Sequence, residues 1–186
     1  MAGARLRVTG GSARGTPLAE PRGVRLRPTS GLVREAVFNV LGDLVEGARV
    51  LDLYAGTGAL GIEALSRGAA EALFIEADAA SCQAIVQSLA RTGFSDRGRI
   101  LRGKLPGALK SAPGPFDLVL MDPPYHDEAA PETLNLLAER LAASGIVVYE
   151  HGSKYNPPER PKGLVQSERR VYGDSAIVLY VLQEGE

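Results

Sequence analysis

Two short segments of this 186-residue chain carry the residue types and spacing that chemistry requires, and each follows an apolar run. The first is Asp52-Leu53-Tyr54-Ala55-Gly56-Thr57-Gly58-Ala59-Leu60-Gly61, in which Gly56, Gly58 and Gly61 satisfy the spacing GxGxxG. Glycines in such a turn permit positive φ and let a ligand approach the backbone, and the third lets a helix pack closely on a strand. Glu76 ends the next apolar run, twenty positions after Gly56, where a carboxylate accepts hydrogen bonds from ribose hydroxyls. The second segment is Asp122-Pro123-Pro124-Tyr125, directly after Asp117-Leu118-Val119-Leu120-Met121. Two prolines fix φ twice and remove two N–H donors, so this loop presents carbonyls and the Asp122 carboxylate, a wall of acceptors. An amine with N–H bonds to donate is the substrate group that matches it.

A glycine-rich turn with an acidic partner serves NAD as readily as S-adenosylmethionine, and a tight turn can also serve packing alone. Asp52, four residues before Gly56 and inside the end of its strand, favours S-adenosylmethionine, because its carboxylate suits an ammonium group that NAD lacks. The chain also offers no well-placed histidine for hydride transfer. Asp52, Tyr54, Gly56, Thr57, Gly58, Glu76 and Asp122 are accordingly the expected cofactor contacts. At the second segment, Asp122 and a loop carbonyl would hold both N–H bonds of an exocyclic base amine and turn its lone pair toward a methyl sulfonium. Tyr125 would stack on the base plane. This chemistry needs no metal, nucleophile or strong base. The tetrapeptide alone would read as a Pro-rich turn with a solvated Asp and a packing Tyr; the strand before it and the glycine turn change that reading.

The elements that must position these residues alternate from about residue 48 onward. Strands are expected at Arg49–Tyr54, Ala72–Ile75, Arg99–Leu101, Phe116–Met121 and Ile146–Tyr149. Helices are expected from the glycine turn to about Arg67, over Ala79–Arg91 and over Pro131–Leu141. Continuous apolar strands separated by helices predict a parallel sheet covered on both faces, a doubly wound α/β domain. Leu164–Val171 and Ala176–Leu182 flank Tyr172-Gly173-Asp174-Ser175 and predict an antiparallel hairpin at one edge. Before the domain, Leu6-Arg7-Val8 and the Gly- and Pro-rich stretch to Pro17 predict a hairpin-like arm. A helix capped by Thr29 or Ser30 follows, with Leu32, Ala36, Val37, Val40 and Leu41 on its apolar face and Gly42 as its stop. The expected organisation is a basic appendage over 1–43 and a catalytic domain over 44–186, without two independent cores.

Composition is that of a globular domain, 45% hydrophobic and 23% charged. The single Cys82 excludes an internal disulfide and a multi-cysteine zinc site, and two histidines, His126 and His151, argue against a histidine metal centre. No apolar run reaches the length of a membrane span, and the start MAGARLRVTG lacks an apolar signal core, so a cytoplasmic protein without membrane contact is expected. The net charge of −1 conceals an asymmetry: residues 1–34 carry +6 and the remainder −7. Charge concentrated in one part, rather than the total, marks a polyanion-binding arm, although a solvated basic surface gives the same count. Arg7, Arg14, Arg25, Arg27 and Arg34 are the candidate RNA contacts.

Several segments together resemble the RsmD-type 16S ribosomal RNA (guanine-N2)-methyltransferase family. They are Arg7-Val8-Thr9-Gly10-Gly11, Leu26-Arg27-Pro28-Thr29 with Val33-Arg34-Glu35 and Phe38-Asn39, Asp52–Arg67, Asp122–Tyr125 and Arg170-Val171-Tyr172-Gly173-Asp174. The resemblance spans almost the whole chain in motif order. It implies the class I methyltransferase sheet of seven strands with an antiparallel C-terminal hairpin. It also implies methyl transfer from S-adenosylmethionine to the N2 amine of a guanine in 16S ribosomal RNA, within a small ribosomal subunit or an assembly intermediate, by a monomer. Where the family often places a polar or acidic residue and then Arg after Arg-Pro-Thr-Thr, this chain has Gly31 and Leu32 after Ser30, which passes that RNA contact to Arg34 or another N-terminal arginine. The loop Arg102-Gly103-Lys104-Leu105 lacks the Asp that many class I enzymes place near adenine, leaving backbone groups of Lys104 and Leu105 for that role. Glu150 matches an acidic position of the family. A DNA adenine-N6 enzyme, a protein glutamine methyltransferase, a noncatalytic RNA-binding assembly factor and, last, a dehydrogenase are the alternatives.

Overall fold

The computed structural model describes residues 6–21, 31–125 and 127–183. Seven strands form one sheet: β1 (Arg49–Leu53), β2 (Glu71–Glu76), β3 (Gly98–Arg102), β4 (Phe116–Met121), β5 (Leu141–Gly152), β6 (Leu164–Tyr172) and β7 (Ser175–Leu182), in the order β3-β2-β1-β4-β5-β7-β6. The first five pair in parallel, whereas β7 runs antiparallel between β5 and β6. The α/β class, the parallel core and the C-terminal hairpin all agree with the sequence pattern.

Strand periodicity divides the core into two layers, because successive side chains point to opposite faces. On one face Val50, Leu118 and Leu120 pack with Val33, Val37 and Phe38 of α1 (Gly31–Leu41) and Ile62 and Leu65 of α2 (Ala59–Ser66). Ile85 and Leu89 of α3 (Ala79–Thr92) complete this layer. On the other face Leu51, Leu53, Val119 and Met121 pack with Leu109, Leu134 of α4 (Ala130–Asn135), and Tyr180. Each of these fully buried apolar side chains is worth about 1.5–3 kcal/mol of transfer free energy. Helix α3 starts where the Asp78 carboxylate accepts from the Ser81 N–H at 2.7 Å and stops at Gly93, whose φ is +77°.

Two boundaries and one buried face differ from expectation. The helix predicted over Pro131–Leu141 ends at Asn135; a single 3-10 turn at Ala138–Arg140 follows, and Leu141 already begins β5. Leu134, Leu137 and Leu141 have helical spacing and are all buried, so the pattern hid a change of backbone. Strand β5 extends on both sides of Ile146–Tyr149. The buried face of α1 is Val33, Arg34, Val37, Phe38 and Leu41, while Leu32, expected inside, is exposed. The cap assigned to Thr29 or Ser30 lies outside the described residues.

The N-terminal arm is a short hairpin held by one bridge, Arg7 to Pro17, with Val8 N–H donating to the Thr16 carbonyl and Leu18 N–H to that of Leu6. Val8 and Leu18 are buried in the same layer as α2. Thr9-Gly10-Gly11 docks on the C-terminal turn of α2. There the fully buried Glu63 carboxylate accepts from Thr9 N–H (2.8 Å), Thr9 Oγ1 (2.8 Å) and Gly10 N–H (2.7 Å), and pairs with Arg67 (2.9 Å). Gly11 has φ +74°, and a Cβ there would lie 1.9 Å from the Ser66 carbonyl oxygen, so only glycine permits this approach.

Candidate active site

Parallel strands bring their carboxyl ends to one edge of the sheet, and the order reverses between β1 and β4, where a crevice opens. Asp52 sits in β1 opposite Leu120 of β4, so the glycine turn after β1 and the Asp122 loop after β4 emerge side by side. A cleft of about 660 Å³ forms there. It is lined by all the residues expected to hold a cofactor except Gly58, together with Pro123, Pro124, Tyr125 and Glu150. Lys104 and Leu105, after β3, also line it, and Gly103 N–H donates to the Glu76 carbonyl, fixing that loop against the end of β2.

The turn is built as a cradle. Gly56 (φ +53°) donates its N–H to Glu76 Oε2 at 2.7 Å, while Asp78 N–H donates to Oε1 at 2.8 Å. Glu76 is thus oriented by backbone. Gly58 (φ +72°) precedes α2 directly and lies behind the cleft wall against Ile85, while its neighbours Thr57 and Ala59 line the cleft. Gly61 is packed tightly, since a Cβ there would fall 2.4 Å from the Phe74 ring and 2.9 Å from Asp52 Oδ2. Tyr54 is the non-glycine residue with positive φ (+58°) among the described residues, a costly conformation that clusters at functional sites. Its hydroxyl lies 3.2 Å from Thr133 Oγ1, and burial pushes its pKa up to about 12.

Asp52 is buried and accepts from Gly61 N–H at 2.9 Å. Burial raises its pKa well above the ordinary carboxylate range; the Gly61 bond opposes this, and the charges of Asp122 and Glu76 add to the rise. Three carboxylates therefore converge on one crevice, an arrangement that a cationic group relieves. A ligand with an ammonium for Asp52 and vicinal hydroxyls for Glu76 fits this set of acceptors, as S-adenosylmethionine does.

The candidate arginines divide. Arg7 and Arg14 are exposed on the arm, Arg7 donating to the Gly15 carbonyl. Arg25 and Arg27 lie outside the described residues, as does His126. Arg34 is corrected: it is 1% exposed, its Nε is 3.6 Å from Glu63 and its Nη2 donates to the Arg7 carbonyl, so it faces the core and not RNA. No group of His, Cys, Asp and Glu suited to a metal ion occurs among the described residues. No helix among them is long and apolar enough to cross a membrane.

Sequence reasoning missed Asp127, which lines the cleft and accepts from Ala129 N–H at 2.8 Å, and Ser175, which reaches the cleft from the start of β7. It also missed the ring cluster of Tyr149, His151 and Tyr155 beside the cleft. Alternation along β5 was a usable signal there, since residues 149 and 151 must share a face.

The conserved hypothetical protein 95 family model matches residues 6–181. Ribosomal RNA small subunit methyltransferase D of Escherichia coli (strain K12) is 36% identical over 177 residues, covering 94% of this chain and 89% of that protein. YlbH of Bacillus subtilis (strain 168) is 33% identical over 180 residues, covering 94% and 98%. The solved structure of yhhF from Escherichia coli superposes with a TM-score of 0.84 at 35% identity, over 97% of this chain and 99% of that one. A glycine cradle, an Asp-Pro-Pro-Tyr loop across one crevice and matches along nearly the whole chain have one common explanation: the chain belongs to the conserved hypothetical protein 95 family, the RsmD family of methyltransferases.

Proposed function

We propose that this chain transfers a methyl group from S-adenosylmethionine to the exocyclic N2 amine of a guanine in 16S ribosomal RNA, on a small ribosomal subunit or its assembly intermediate. The observation that carries this reading is the shared cleft, in which Asp52 and Glu76 face the Asp122–Tyr125 loop across the switch point of the sheet. The relatives named for small-subunit ribosomal RNA methylation support the substrate class. When bound, S-adenosylmethionine supplies an electrophilic methyl on a sulfonium.

The protein's part is binding and orientation. Asp52 holds the ammonium, Glu76 the ribose hydroxyls, and the backbone of Lys104 and Leu105 the adenine. Asp122 and the Pro123 carbonyl accept the two N–H bonds of the guanine amine and aim its lone pair along the line of transfer. They also stabilise positive charge as it develops on nitrogen; the surplus N–H proton then leaves to solvent, and the electron pair of the broken C–S bond departs with the thioether S-adenosylhomocysteine. Tyr125, 47% exposed, stacks on the base. Exposed Arg7 and Arg14, with Arg25 and Arg27, contact phosphates. The protein acts as a monomer in the cytoplasm.

The test is methylation of small subunits lacking the modification, with the product nucleoside identified by mass spectrometry. N2-methylguanosine is expected. Asp122→Ala should lower turnover by at least about a hundredfold, as removal of an aligned charge-stabilising group does, while the cofactor Kd, which Asp52 and Glu76 mainly set, changes far less than turnover. Equal loss of cofactor binding would refute the role given to Asp122.

A further inference from the structure

A second cavity, of about 740 Å³, opens on the far side of the Asp122–Tyr125 loop, between that loop and the end of β5. Pro123, Pro124 and Tyr125 line both spaces, so Tyr125 forms part of the wall between them. The wall is close-fitting: a Cβ on Gly152 would lie 3.3 Å from the Tyr125 ring. Deeper in, the His151 ring lies 5.4 Å from that of Tyr149 and meets the Tyr155 ring edge-on at 5.7 Å and 78°. Tyr155, at 44% exposure, is one of the few large hydrophobic side chains left open to solvent among the described residues, and Tyr125 is another. Both stand at this cavity.

His151 is 3% exposed, and its Nε2 has no hydrogen-bond partner in the protein. Its Nδ1 lies 2.8 Å from the Gly152 carbonyl oxygen, which only accepts, so the proton sits on Nδ1 and Nε2 is an acceptor. Burial lowers the His151 pKa, which keeps the ring neutral. A buried acceptor of this kind asks for a donor that the protein itself does not provide. Lys154 is the cation of the lining, which also includes Asp127, Glu128 and Asp174, and Arg169 lies behind it, donating to the Ser153 carbonyl. Aromatic faces and a waiting acceptor are the parts of a site for an unpaired base.

We propose that this cavity is a second base pocket, which takes the nucleotide next to the methylated guanine, with Tyr155 stacking on its base, His151 Nε2 accepting from a base N–H, the carboxylates of Asp127, Glu128 and Asp174 offering further acceptors to base N–H groups, and Lys154 meeting its phosphate. The proposal rests on the RNA-methylating reading above. A strand whose guanine lies at Asp122 must continue past Tyr125, and this cavity is what it meets on the other side. Movement of the Tyr155 ring from His151 onto the base uncovers Nε2 as the stacking forms. Splaying two neighbouring bases into separate pockets on either side of Tyr125 would also hold the target out of its helix while the amine is aligned.

The test uses the full chain saturated with S-adenosylhomocysteine and RNA trinucleotides centred on guanine, with 2-aminopurine on either the 5′ or the 3′ side. One of the two placements is expected to lose fluorescence on binding, through stacking. Tyr155→Ala should abolish that quenching and weaken binding by roughly ten- to hundredfold, the range for one base–aromatic stack. Tyr155→Phe, which keeps the ring, should behave as wild type. With small subunits as methyl acceptors, Tyr155→Ala should raise KM for subunits by a similar factor and leave KM for S-adenosylmethionine unchanged. Quenching that survives in Tyr155→Ala, or an unchanged KM for subunits, overturns the pocket even where methylation proceeds. Tyr155-dependent quenching without any methyl transfer to RNA supports the pocket and removes the proposed function.

Discussion

Replacing Asp52 with asparagine should separate affinity from stability, because the two draw on the same buried charge in opposite directions. The carboxylate accepts one hydrogen bond, from Gly61 N–H at 2.9 Å, and shares its crevice with Asp122 and Glu76. Asparagine keeps an acceptor for Gly61 and removes the charge, so the cofactor-free protein should gain on the order of 1 kcal/mol. For a domain of this size that raises the melting midpoint by about 2–4 °C. The same change removes the partner of the cofactor's ammonium. Truncating one member of a buried charge pair costs about 2–5 kcal/mol, and a loss of about 2.7 kcal/mol corresponds to roughly hundredfold in Kd. At a cofactor concentration of about 100 times the wild-type Kd, bound cofactor stabilises wild type by about 2.7 kcal/mol and Asp52→Asn by only about 0.4 kcal/mol. Calorimetric melting with and without S-adenosylhomocysteine measures both quantities. The sign of the pH dependence is a further check. The folded-state pKa of Asp52 lies above its unfolded value, so folding takes up a proton there. Its stabilising contribution is present at low pH and is lost as pH rises from the ordinary carboxylate range through the raised folded value. Asp52→Asn lacks that slope, and its advantage without cofactor should widen as pH rises above the ordinary carboxylate range. A variant that melts below wild type without cofactor, or keeps the full cofactor-induced shift, would refute the reasoning.

Glu63→Gln removes the counter-charge that pairs with the buried Arg34 guanidinium and places an amide against the donors of Thr9, Gly10 and Arg67. A loss of about 3–5 kcal/mol is expected, or about 6–20 °C in the melting midpoint. Hydrogen exchange at Val8 and Leu18 should accelerate with it; a midpoint within about 2 °C of wild type would contradict the assignment of Glu63 as the anchor of the arm. Arg7→Gln with Arg14→Gln should weaken binding to small-subunit RNA and lower the slope of log K against log salt by up to about 2, close to one unit for each phosphate contact. An unchanged slope would place the RNA surface elsewhere.

The parts of the site legible in the sequence share a physical reason. Asp52, Glu76 and Asp122 each lie at or just past the carboxyl end of an apolar strand, and parallel topology forces such ends together. Hydrophobic periodicity therefore located the carboxylates before any packing was known. It failed where a pattern admits two backbones, as at Leu134, Leu137 and Leu141, whose spacing suits a helix although the chain passes from a helix through one tight turn into β5. It failed again where a partner on a distant segment decides. Arg34 reads as a surface arginine until Glu63 of α2 is brought beside it, and its burial rotates the inward face of α1 so that Leu32 points out. His151 reads as one more histidine after a strand; its idle acceptor emerges only once Tyr149 and Tyr155 close around it.

The clasp at Glu63 bears on how the basic arm can be exchanged between relatives. Thr9, Gly10 and Gly11 hold to the last turn of the helix whose first turn closes the glycine cradle, and Val8 and Leu18 fill the layer beneath it. A chimera that joined a foreign arm near the start of β1 would leave Glu63, Ser66 and Arg67 without the groups they now hold. The transplantable cassette is discontinuous: arm, α1 and the second half of α2 travel together or not at all. Changes of RNA specificity built on this scaffold should therefore keep the clasp and vary only the outward side chains, such as Arg7 and Arg14.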